Sequence, residues 1–598
     1  MRFSAGAVAG LLLAALPTGS AGMRTWQPIR ELQKQIQEDG GDGGDGGDGS
    51  GVLGETPRPS SPPPAYPAYN LSVPVDHFHN DSLYAPHTND TFALRYWFDA
   101  QHYQPGGPVI LLAAGETSGE HRLPFLQKGI AARLAQATNG LAVVLEHRYY
   151  GASFPYGNLS TDALRFLRTE QALADTAYFA THVAFPGLEG VDVTPGAGAP
   201  WIVYGGSYAG AFAAFARMLY PEVFWGAISS SGVTVAVYDY WQYYEAQRLF
   251  APTACVHRTQ ELIHVADQIL LAARDDSKGR GDAHRDYIGY ADHVGQKPLH
   301  GDGPAARGRQ LKEVFGLGSL THDDDFAAVL SDAMGGWQET NWDPTQADPG
   351  FDWYCGNVTA DTLLYPDLED RRSTVRSLLQ ATSYNTPDAV AVLEGPMLNY
   401  IGWVRATHPC KGPGQSQDQC FSNRNATFYR QDDSAQRWRS WSYQYCTQWG
   451  YLATGSGVPH DRLPLVSRLL DLEYLSLICR EAFGVTGLPD VASVNQFGGF
   501  GIHYPRLAIV DGEADPWRAA TPHALGHNAR RPSTTSEPFL LIPGAVHHWD
   551  EYGLYENETT VELPPQSIRD VQADEVDFVA QWVADWAGQN LEDDDGRM

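Results

Sequence analysis

The sequence predicts an α/β protein built on a doubly wound, mainly parallel β-sheet. Between residues 70 and 234, short apolar runs near 109–113, 142–146, 202–204 and 226–230 alternate with helix-forming segments. Two more apolar runs begin at Leu507 and Phe539, and a final helix is expected over 573–586, so the closing strands lie between residues 491 and 590. Because 598 residues exceed what one hydrophobic core holds, a second structural unit is expected between these two parts.

The third apolar run ends in a glycine pair and a serine, and small helix-forming residues follow; the segment is Gly205-Gly206-Ser207-Tyr208-Ala209-Gly210. This context is typical of a nucleophile elbow, in which a tight turn exposes the serine hydroxyl at the top of a sheet. The pattern departs from G-x-S-x-G because Ala209 occupies the last glycine position. Taken alone, it is equally typical of a structural glycine-rich turn.

The closing strands carry the other two groups that an elbow serine needs. Asp515 follows the run at Leu507, and two histidines, His547 and His548, follow the run at Phe539. The chain order Ser, Asp, His is that of an α/β-hydrolase, and catalytic groups in such sheets lie past the carboxyl ends of the strands. Asp511 is a rival acid, but its place at the strand end is more typical of a turn residue.

These residue types suit nucleophilic attack on a carbonyl group. An imidazole takes the serine proton, and a carboxylate holds the imidazole in the required tautomer. The developing oxyanion needs fixed N–H donors. The amide of Tyr208 is the first candidate, and the loop at Glu116, after the run at 109–113, is the second.

The intervening residues 235–490 contain all six cysteines, many Trp and Tyr, and helix-like runs at 259–273 and 463–483. They predict a mainly helical cap, inserted after the nucleophile half, that covers the catalytic edge of the sheet. Cys410 and Cys420 could close a short loop, but the sequence does not choose among the pairings. No spacing resembles a zinc site, so neither a metal nor a cofactor is expected. The expected disulfide cysteines are Cys255, Cys355, Cys410, Cys420, Cys446 and Cys479.

The N-terminal residues predict a secreted protein. Arg2, the apolar run 7–16 and the small residues 19–21 indicate a signal peptide over 1–21. The Gly/Asp- and Pro-rich residues 22–69 indicate a flexible linker or propeptide, and residues 591–598 an acidic tail. Glycosylation is expected at the seven sequon residues Asn70, Asn80, Asn89, Asn158, Asn357, Asn425 and Asn557.

The formal net charge of −30 argues against nucleic acid or an anionic membrane as a partner. One explanation is the solubility of a secreted protein; the other is function in acid, where protonation of part of the carboxylate excess limits self-repulsion. We expect an extracellular location or the lumen of a vacuole or lysosome.

Several further motifs together resemble one family. They are the segments 75–78, 91–96, 146–153, 170–175, 205–208, 441–447, 515–517 and 547–550. The chain resembles the serine carboxypeptidase family that contains lysosomal Pro-Xaa carboxypeptidase, dipeptidyl peptidase II, thymus-specific serine protease and the fungal acid prolyl endopeptidases. The resemblance implies a serine peptidase that cuts peptides beside proline, and it leaves open whether the protein is a homodimer.

The resemblance also implies residue roles. It assigns catalysis to Ser207, Asp515 and His548, because the family's histidine stands two residues before the aspartate that matches Asp550. His547 is then a supporting or surface residue. Trp517 resembles a wall of the family's proline pocket, with an ordinary core tryptophan as the equal alternative. The family also suggests a disulfide between Cys446 and Cys479. Many relatives have a glutamate at the position of Gln448. If that position recognises a substrate terminus, the missing charge argues against exopeptidase specificity.

Three functions are to be distinguished. The first is a proline-directed serine peptidase, acting as an endopeptidase or as an exopeptidase that recognises a chain terminus. The second is an esterase or lipase on the same fold, which fold alone does not exclude. The third is a scaffold without activity, against which the complete set of Ser207, Asp515 and His548 argues.

Overall fold

A computed structural model describes residues 66–278, 303–410, 414–528 and 531–595. The predicted signal peptide, most of the segment 22–69 and residues 596–598 lie outside the described residues.

An eight-stranded sheet forms the centre of the protein. The strands of the chain are β1 (Tyr69–Pro74), β2 (Thr91–Asp99), β3 (Val109–Ala113), β4 (Leu141–Leu145), β5 (Trp201–Gly206), β6 (Gly226–Ser230), β7 (Val237–Asp239), β8 (Gly450–Leu452), β9 (Leu507–Gly512) and β10 (Phe539–Ile542). The order in the large sheet is β1-β2-β4-β3-β5-β6-β9-β10. Strand β2 is antiparallel to both of its neighbours, and the six strands from β4 to β10 are mutually parallel. This is the topology of an α/β-hydrolase, and the predicted fold class is confirmed.

The burial of the strands explains which of them the sequence predicts. Every residue of β3, β4 and β5 is buried, as expected for parallel strands covered by helices on both faces. Their apolar runs are therefore continuous. Strand β2 alternates buried and exposed residues over its first half, and β1 is the partly exposed edge strand. The prediction did not include these two strands.

Helices cover both faces of the sheet and make up most of the insert. The helices are α1 (Ile130–Thr138), α2 (Thr169–His182), α3 (Tyr208–Leu219), α4 (Tyr243–Phe250), α5 (Thr253–Lys278), α6 (Pro304–Val314), α7 (Asp323–Asp332), α8 (Gly350–Val358), α9 (Arg372–Gln380), α10 (Pro387–Thr407), α11 (Gln417–Phe421), α12 (Ala426–Tyr429), α13 (Trp438–Gln444), α14 (Leu472–Leu475), α15 (Leu477–Phe483), α16 (Ala492–Asn495) and α17 (Gln566–Asp595). One apolar core joins α1 and α17 to one face of the sheet, and a second joins the other face to the insert.

The insert between β6 and β9 is mainly helical and contains three disulfides. They join Cys255 to Cys355, Cys410 to Cys420 and Cys446 to Cys479. Two of these pairs are the ones that loop closure and the family resemblance suggested. The helix-like run at 463–483 contains only the short helices α14 and α15, because residues 463–471 form turns. Among the described residues, none of the helices combines the length and apolar character that crossing a membrane requires.

Candidate active site

Ser207 lies between β5 and α3 with φ 62° and ψ −126°. A non-glycine residue at positive φ is strained, and such strain is often found at functional turns. The turn is also crowded. A Cβ on Gly205 would lie 2.0 Å from the Ala209 carbonyl oxygen, and one on Gly210 would lie 2.7 Å from the Ser230 carbonyl oxygen. The segment therefore has the backbone of a nucleophile elbow, and its glycines are required by close approach.

The loop after β3 explains why Ala209 can replace the last glycine of the elbow pattern. Gly115 faces Ala209, and a Cβ on Gly115 would lie 3.2 Å from the Ala209 methyl group. The space for the methyl group is thus provided by a glycine elsewhere in the chain. This contact also brings the loop that carries Glu116 to the start of α3.

Ser207, His547 and Asp515 form one hydrogen-bonded array. His547 Nε2 lies 2.8 Å from Ser207 Oγ, and His547 Nδ1 lies 2.9 Å from Asp515 Oδ2. Asp515 is fully buried and also accepts a hydrogen bond from the Trp517 amide at 2.8 Å. A carboxylate only accepts, so Nδ1 carries the proton and Nε2 is left to accept from the serine hydroxyl. The array can activate Ser207 as a nucleophile.

The expectation that His548 contacts Ser207 and Asp515 is wrong for this structure. His548 has φ 37°, and its amide donates to Ser231 Oγ at 2.9 Å. Its Nδ1 lies 2.9 Å from Glu551 Oε2, and its ring stacks on Tyr552 with centroids 5.6 Å apart. The left-handed turn at His548 directs the two neighbouring imidazoles to different partners. The choice of His548 is based on the number of residues between the histidine and Asp550. That number contains no information on the backbone conformation of the turn.

The charges around His548 are buried together. Arg122 Nη1 lies 3.9 Å from Glu551 Oε2. Burial opposes ionisation of Glu551, but Arg122 and His548 hold the pKa of this carboxyl below its ordinary value. Burial raises the pKa of Glu116, which faces the same groups. Glu551 and Arg122 were not among the predicted site residues, and neither has a sequence motif that marks it.

Asp550 anchors the loop that carries the two histidines to strands β5 and β6. The Tyr204 hydroxyl donates to Asp550 Oδ2 at 2.6 Å, and the Ser230 hydroxyl donates to Oδ1 at 2.5 Å. Gln572 of α17 donates to the Asp550 carbonyl oxygen at 2.7 Å. Burial raises the pKa of Asp550, and it raises that of its neighbour Glu575 well above the ordinary value. The loop therefore rests on buried carboxyl groups whose pKa values are raised.

Both predicted oxyanion positions lie at the carboxyl edge of the sheet. Tyr208 is the first residue of α3, and the half-buried Glu116 follows the neighbouring strand β3. The Tyr208 side chain is fixed by a hydrogen-bonded network. Its hydroxyl accepts from Gln444 Nε2 at 2.9 Å and lies 3.0 Å from His147 Nε2. His147 Nδ1 in turn lies 2.8 Å from the Arg148 carbonyl oxygen, so Nδ1 donates and Nε2 accepts from Tyr208.

Trp517 is fully buried, as expected for an ordinary core tryptophan and not for an exposed wall of a pocket. Its ring stacks on Tyr240 with centroids 5.3 Å apart, and it lies 6.4 Å from the ring of His547. Its indole donates to Gln338 of the insert at 2.7 Å. The same stretch of the insert, residues 338–342, is also hydrogen-bonded to the loop that carries the two histidines: the Trp342 indole donates to the Trp549 carbonyl oxygen at 2.9 Å. The insert thus holds both closing loops of the array.

Other predicted positions lie away from this array. Asp511, the rival acid, lies 2.7 Å from His523 Nδ1. Gln448 is fully buried, and its Oε1 accepts from the Thr169 amide at 3.1 Å. All seven sequon asparagines are exposed or half-buried.

Comparisons with known proteins identify the family and several relatives of this chain. A family model for serine carboxypeptidase S28 matches residues 74–273 and 403–563, which include Ser207, Asp515 and His547. A probable extracellular serine carboxypeptidase of Arthroderma benhamiae is 49% identical over 521 residues, which cover 87% of this chain and 68% of that protein. The thymus-specific serine protease of Mus musculus is 29% identical over 481 residues, which cover 77% of this chain and 79% of that protein. Among solved structures, a proline iminopeptidase of Mycobacterium smegmatis aligns with 86% of this chain and 99% of that chain, at 11% identity and a TM-score of 0.29.

Proposed function

The chain belongs to the serine carboxypeptidase S28 family, and from this premise we propose that Ser207, His547 and Asp515 are the catalytic triad of a secreted, proline-directed peptidase. One observation carries the proposal: His547 Nε2 lies 2.8 Å from Ser207 Oγ, and Nδ1 lies 2.9 Å from a fully buried aspartate. This geometry is that of a general base poised on a nucleophile.

The reaction follows from the array. Ser207 Oγ attacks the carbonyl carbon of the scissile bond while His547 Nε2 takes the hydroxyl proton, and Asp515 stabilises the imidazolium that forms. The amides of Tyr208 and Glu116 are the proposed donors to the oxyanion. The tetrahedral intermediate collapses, the C–N bond breaks, and Nε2 gives its proton to the leaving amine. A water molecule, deprotonated by His547 Nε2, then attacks the acyl carbon. The bond between that carbon and Ser207 Oγ breaks, and Nε2 returns its proton to Oγ.

Proline preference is proposed from the aromatic cluster beside His547. The indole of Trp517 contacts Tyr240 and Tyr243, whose ring centroids lie 5.3 and 5.5 Å away. Flat apolar walls of this kind suit the rigid pyrrolidine ring. Since Trp517 itself is buried, we propose that it supports the pocket from behind, while the half-buried Tyr243 is nearer to the substrate.

An acidic working pH and an oxidising compartment are part of the proposal. The carboxyls of the half-buried Glu116 and of the buried Asp550 and Glu575 all have raised pKa values, because loss of solvation disfavours their charged forms. They are most easily accommodated in acid. Three disulfides are typical of a secreted protein. The Arthroderma benhamiae relative is described as extracellular, and we propose the same location here.

The test is a mass-spectrometric digest at about pH 4–5, where the acid argument places activity. The substrate is one peptide with an internal, a penultimate and an N-terminal-second proline. We expect cleavage after the internal proline, as by an endopeptidase; loss of one residue or a dipeptide from one end would instead indicate an exopeptidase. Ser207→Ala is expected to abolish all cleavage and labelling by a serine-directed phosphonate while the fold persists. Cleavage at the wild-type rate by Ser207→Ala would refute the proposed triad.

A further inference from the structure

The loop between β1 and β2 brings three potential metal ligands together, far from Ser207 in the chain. Asp76, His79 and His87 each offer one ligand atom, and these atoms all lie within 4.8 Å of one another. The rings of His79 and His87 stack with centroids 5.7 Å apart and an interplanar angle of 25°. Within the described part of the chain, this is the one such group of histidine, cysteine and carboxylate side chains.

The carboxylate of the group is fixed by the protein interior. Asp76 is 1% exposed, and its Oδ1 accepts from Gln171 Nε2 at 3.0 Å and from the Phe78 amide at 2.9 Å. Its second oxygen, Oδ2, lies 2.7 Å from Nδ1 of the exposed His87. Metal-binding carboxylates are commonly held in this way, with one oxygen bonded to the protein and the other directed at the ion.

The two imidazoles are accessible and adjustable. His79 and His87 are exposed, so their rings can rotate without disturbing the core. Zinc bonds of about 2.0–2.2 Å in a tetrahedral site require ligand atoms about 3.3 Å apart. The Asp76–His87 pair, at 2.7 Å, is closer than this value. The group as a whole is wider, since its ligand atoms lie within 4.8 Å of one another. Small rotations therefore suffice.

We propose that Asp76, His79 and His87 form a surface binding site for a divalent first-row metal ion, with Zn²⁺ as the best-suited ion. Two imidazoles and one carboxylate are an established zinc ligand set, and the solvent-exposed side leaves a fourth position for water. The ion would take the place of the direct contact that now joins His87 Nδ1 to Asp76 Oδ2.

The site has a structural consequence. Asp76 is bonded to Gln171, and the neighbouring His77 lies 2.7 Å from Asp175, also on α2. A metal ion would tie the exposed stretch from His79 to His87 to this buried anchor. We therefore expect Zn²⁺ to raise the melting temperature of the protein.

The experiment is isothermal titration of the metal-free protein with Zn²⁺ at neutral pH, after enzymatic removal of glycans, because the sequons Asn80 and Asn89 lie beside the site. One equivalent is expected to bind to the wild type. His79→Ala and His87→Ala should each weaken binding at least about 10-fold, as the loss of a metal ligand does. His503→Ala is the matched control, since His503 lies 3.5 Å from a single carboxylate, Glu537, and should leave binding unchanged.

A second measurement keeps the result independent of folding defects. Co²⁺ added to the wild type should give visible d–d absorption bands of a low-coordinate site, and both histidine variants should lose them while keeping the wild-type far-UV circular dichroism. Absence of saturable Zn²⁺ binding by the wild type, or equal binding by His79→Ala and His87→Ala, would overturn the proposal.

Discussion

His547 and His548 are chain neighbours whose imidazole rings, with centroids 4.5 Å apart, have different partners. His547 contacts Ser207 and Asp515, whereas His548 lies against Glu551 and Tyr552. The two rings are adjacent, but the partners of His547 and those of His548 are different residues. The imidazole that can accept the serine proton is that of His547.

His547→Ala is expected to lower kcat/KM by about 10⁴-fold or more, since removal of the base disables the array as a unit. His548→Ala should lower it by less than about 100-fold, because it removes only a neighbour of Glu551 and Tyr552. The measurement is the rate of cleavage of one proline-containing peptide by both variants, with equal thermal stability checked first. The opposite ranking would transfer the base role to His548.

Glu575→Gln is expected to make the protein more stable at pH 7 and to leave its stability at pH 4 unchanged. The pKa of Glu575 lies well above its ordinary value of 4.5 because the side chain is buried beside Asp550. The folded protein therefore keeps a proton that the unfolded chain releases, and stability falls as the pH rises from about 4.5 through the raised pKa. Glutamine retains the shape of the protonated form at every pH.

A folded-state pKa that is one unit above the ordinary value costs about 1.4 kcal/mol of unfolding free energy at pH 7. Removing the charge removes this cost, and we expect the melting temperature at pH 7 to rise by about 2–5 °C. Thermal unfolding at the two pH values measures it, with the exposed Glu562→Gln as the control. Two other groups act in the opposite direction in acid. His147 has a pKa lowered to about 4 by burial, and the pKa of Glu551 is also lowered, so both reduce stability as the pH falls. Equal gains at both pH values would show that Glu575 is not protonated in the fold.

Tyr208→Phe separates the backbone of this residue from its hydroxyl. The variant keeps the amide proposed as an oxyanion donor, but leaves Gln444 Nε2 and His147 Nε2 without their common partner. Each buried polar group left unsatisfied costs about 1–3 kcal/mol of stability. We expect a clear loss of thermal stability and a fall in kcat of less than about 10-fold. A fall beyond about 10³-fold would place the hydroxyl itself in the reaction.

Five of the six parallel strands are buried along their whole length, and burial on both faces gives the mainly apolar runs from which they could be predicted. The strand β10 is only partly buried, but its run Phe539–Ile542 is also apolar. The same runs marked Ser207 and Asp515 as candidates, since Ser207 directly follows β5 and Asp515 lies three residues after β9. The choice between His547 and His548 could not be made in this way. It depends on the left-handed backbone of His548, which has no residue-type signature there.

Long-range contacts account for the rest of what the sequence did not show. Ala209 fits because Gly115 faces it, and Gln338 holds Trp517 from a segment of the insert without any motif. Gln448 differs from many relatives at a position that suggested terminus recognition. Its full burial against the Thr169 amide shows that the side chain is part of the interior in this fold.

Arg148→Met is expected to destabilise the protein without touching the reacting groups. Arg148 is fully buried, and its Nε and Nη2 both donate to Asp175 at 2.6 Å. Its Nη1 donates to the Val75 and Phe166 carbonyl oxygens at 2.9 Å. Three of the segments that carry the family resemblance, 75–78, 146–153 and 170–175, therefore meet at one ion pair. Removing one partner of a buried pair leaves the other charge uncompensated, which costs about 3–5 kcal/mol.

His77 lies 2.7 Å from Asp175 and retains one partner for it, so we expect the lower end of that range. Denaturant unfolding of the variant measures the loss. Arg165→Met is the matched control, because Arg165 lies nearer the surface and pairs with the exposed Asp162, a contact worth less than about 1 kcal/mol. Equal stabilities of the two variants would mean that the Arg148–Asp175 pair does not stabilise the fold. In that case the three segments would have to be explained by contacts other than this ion pair.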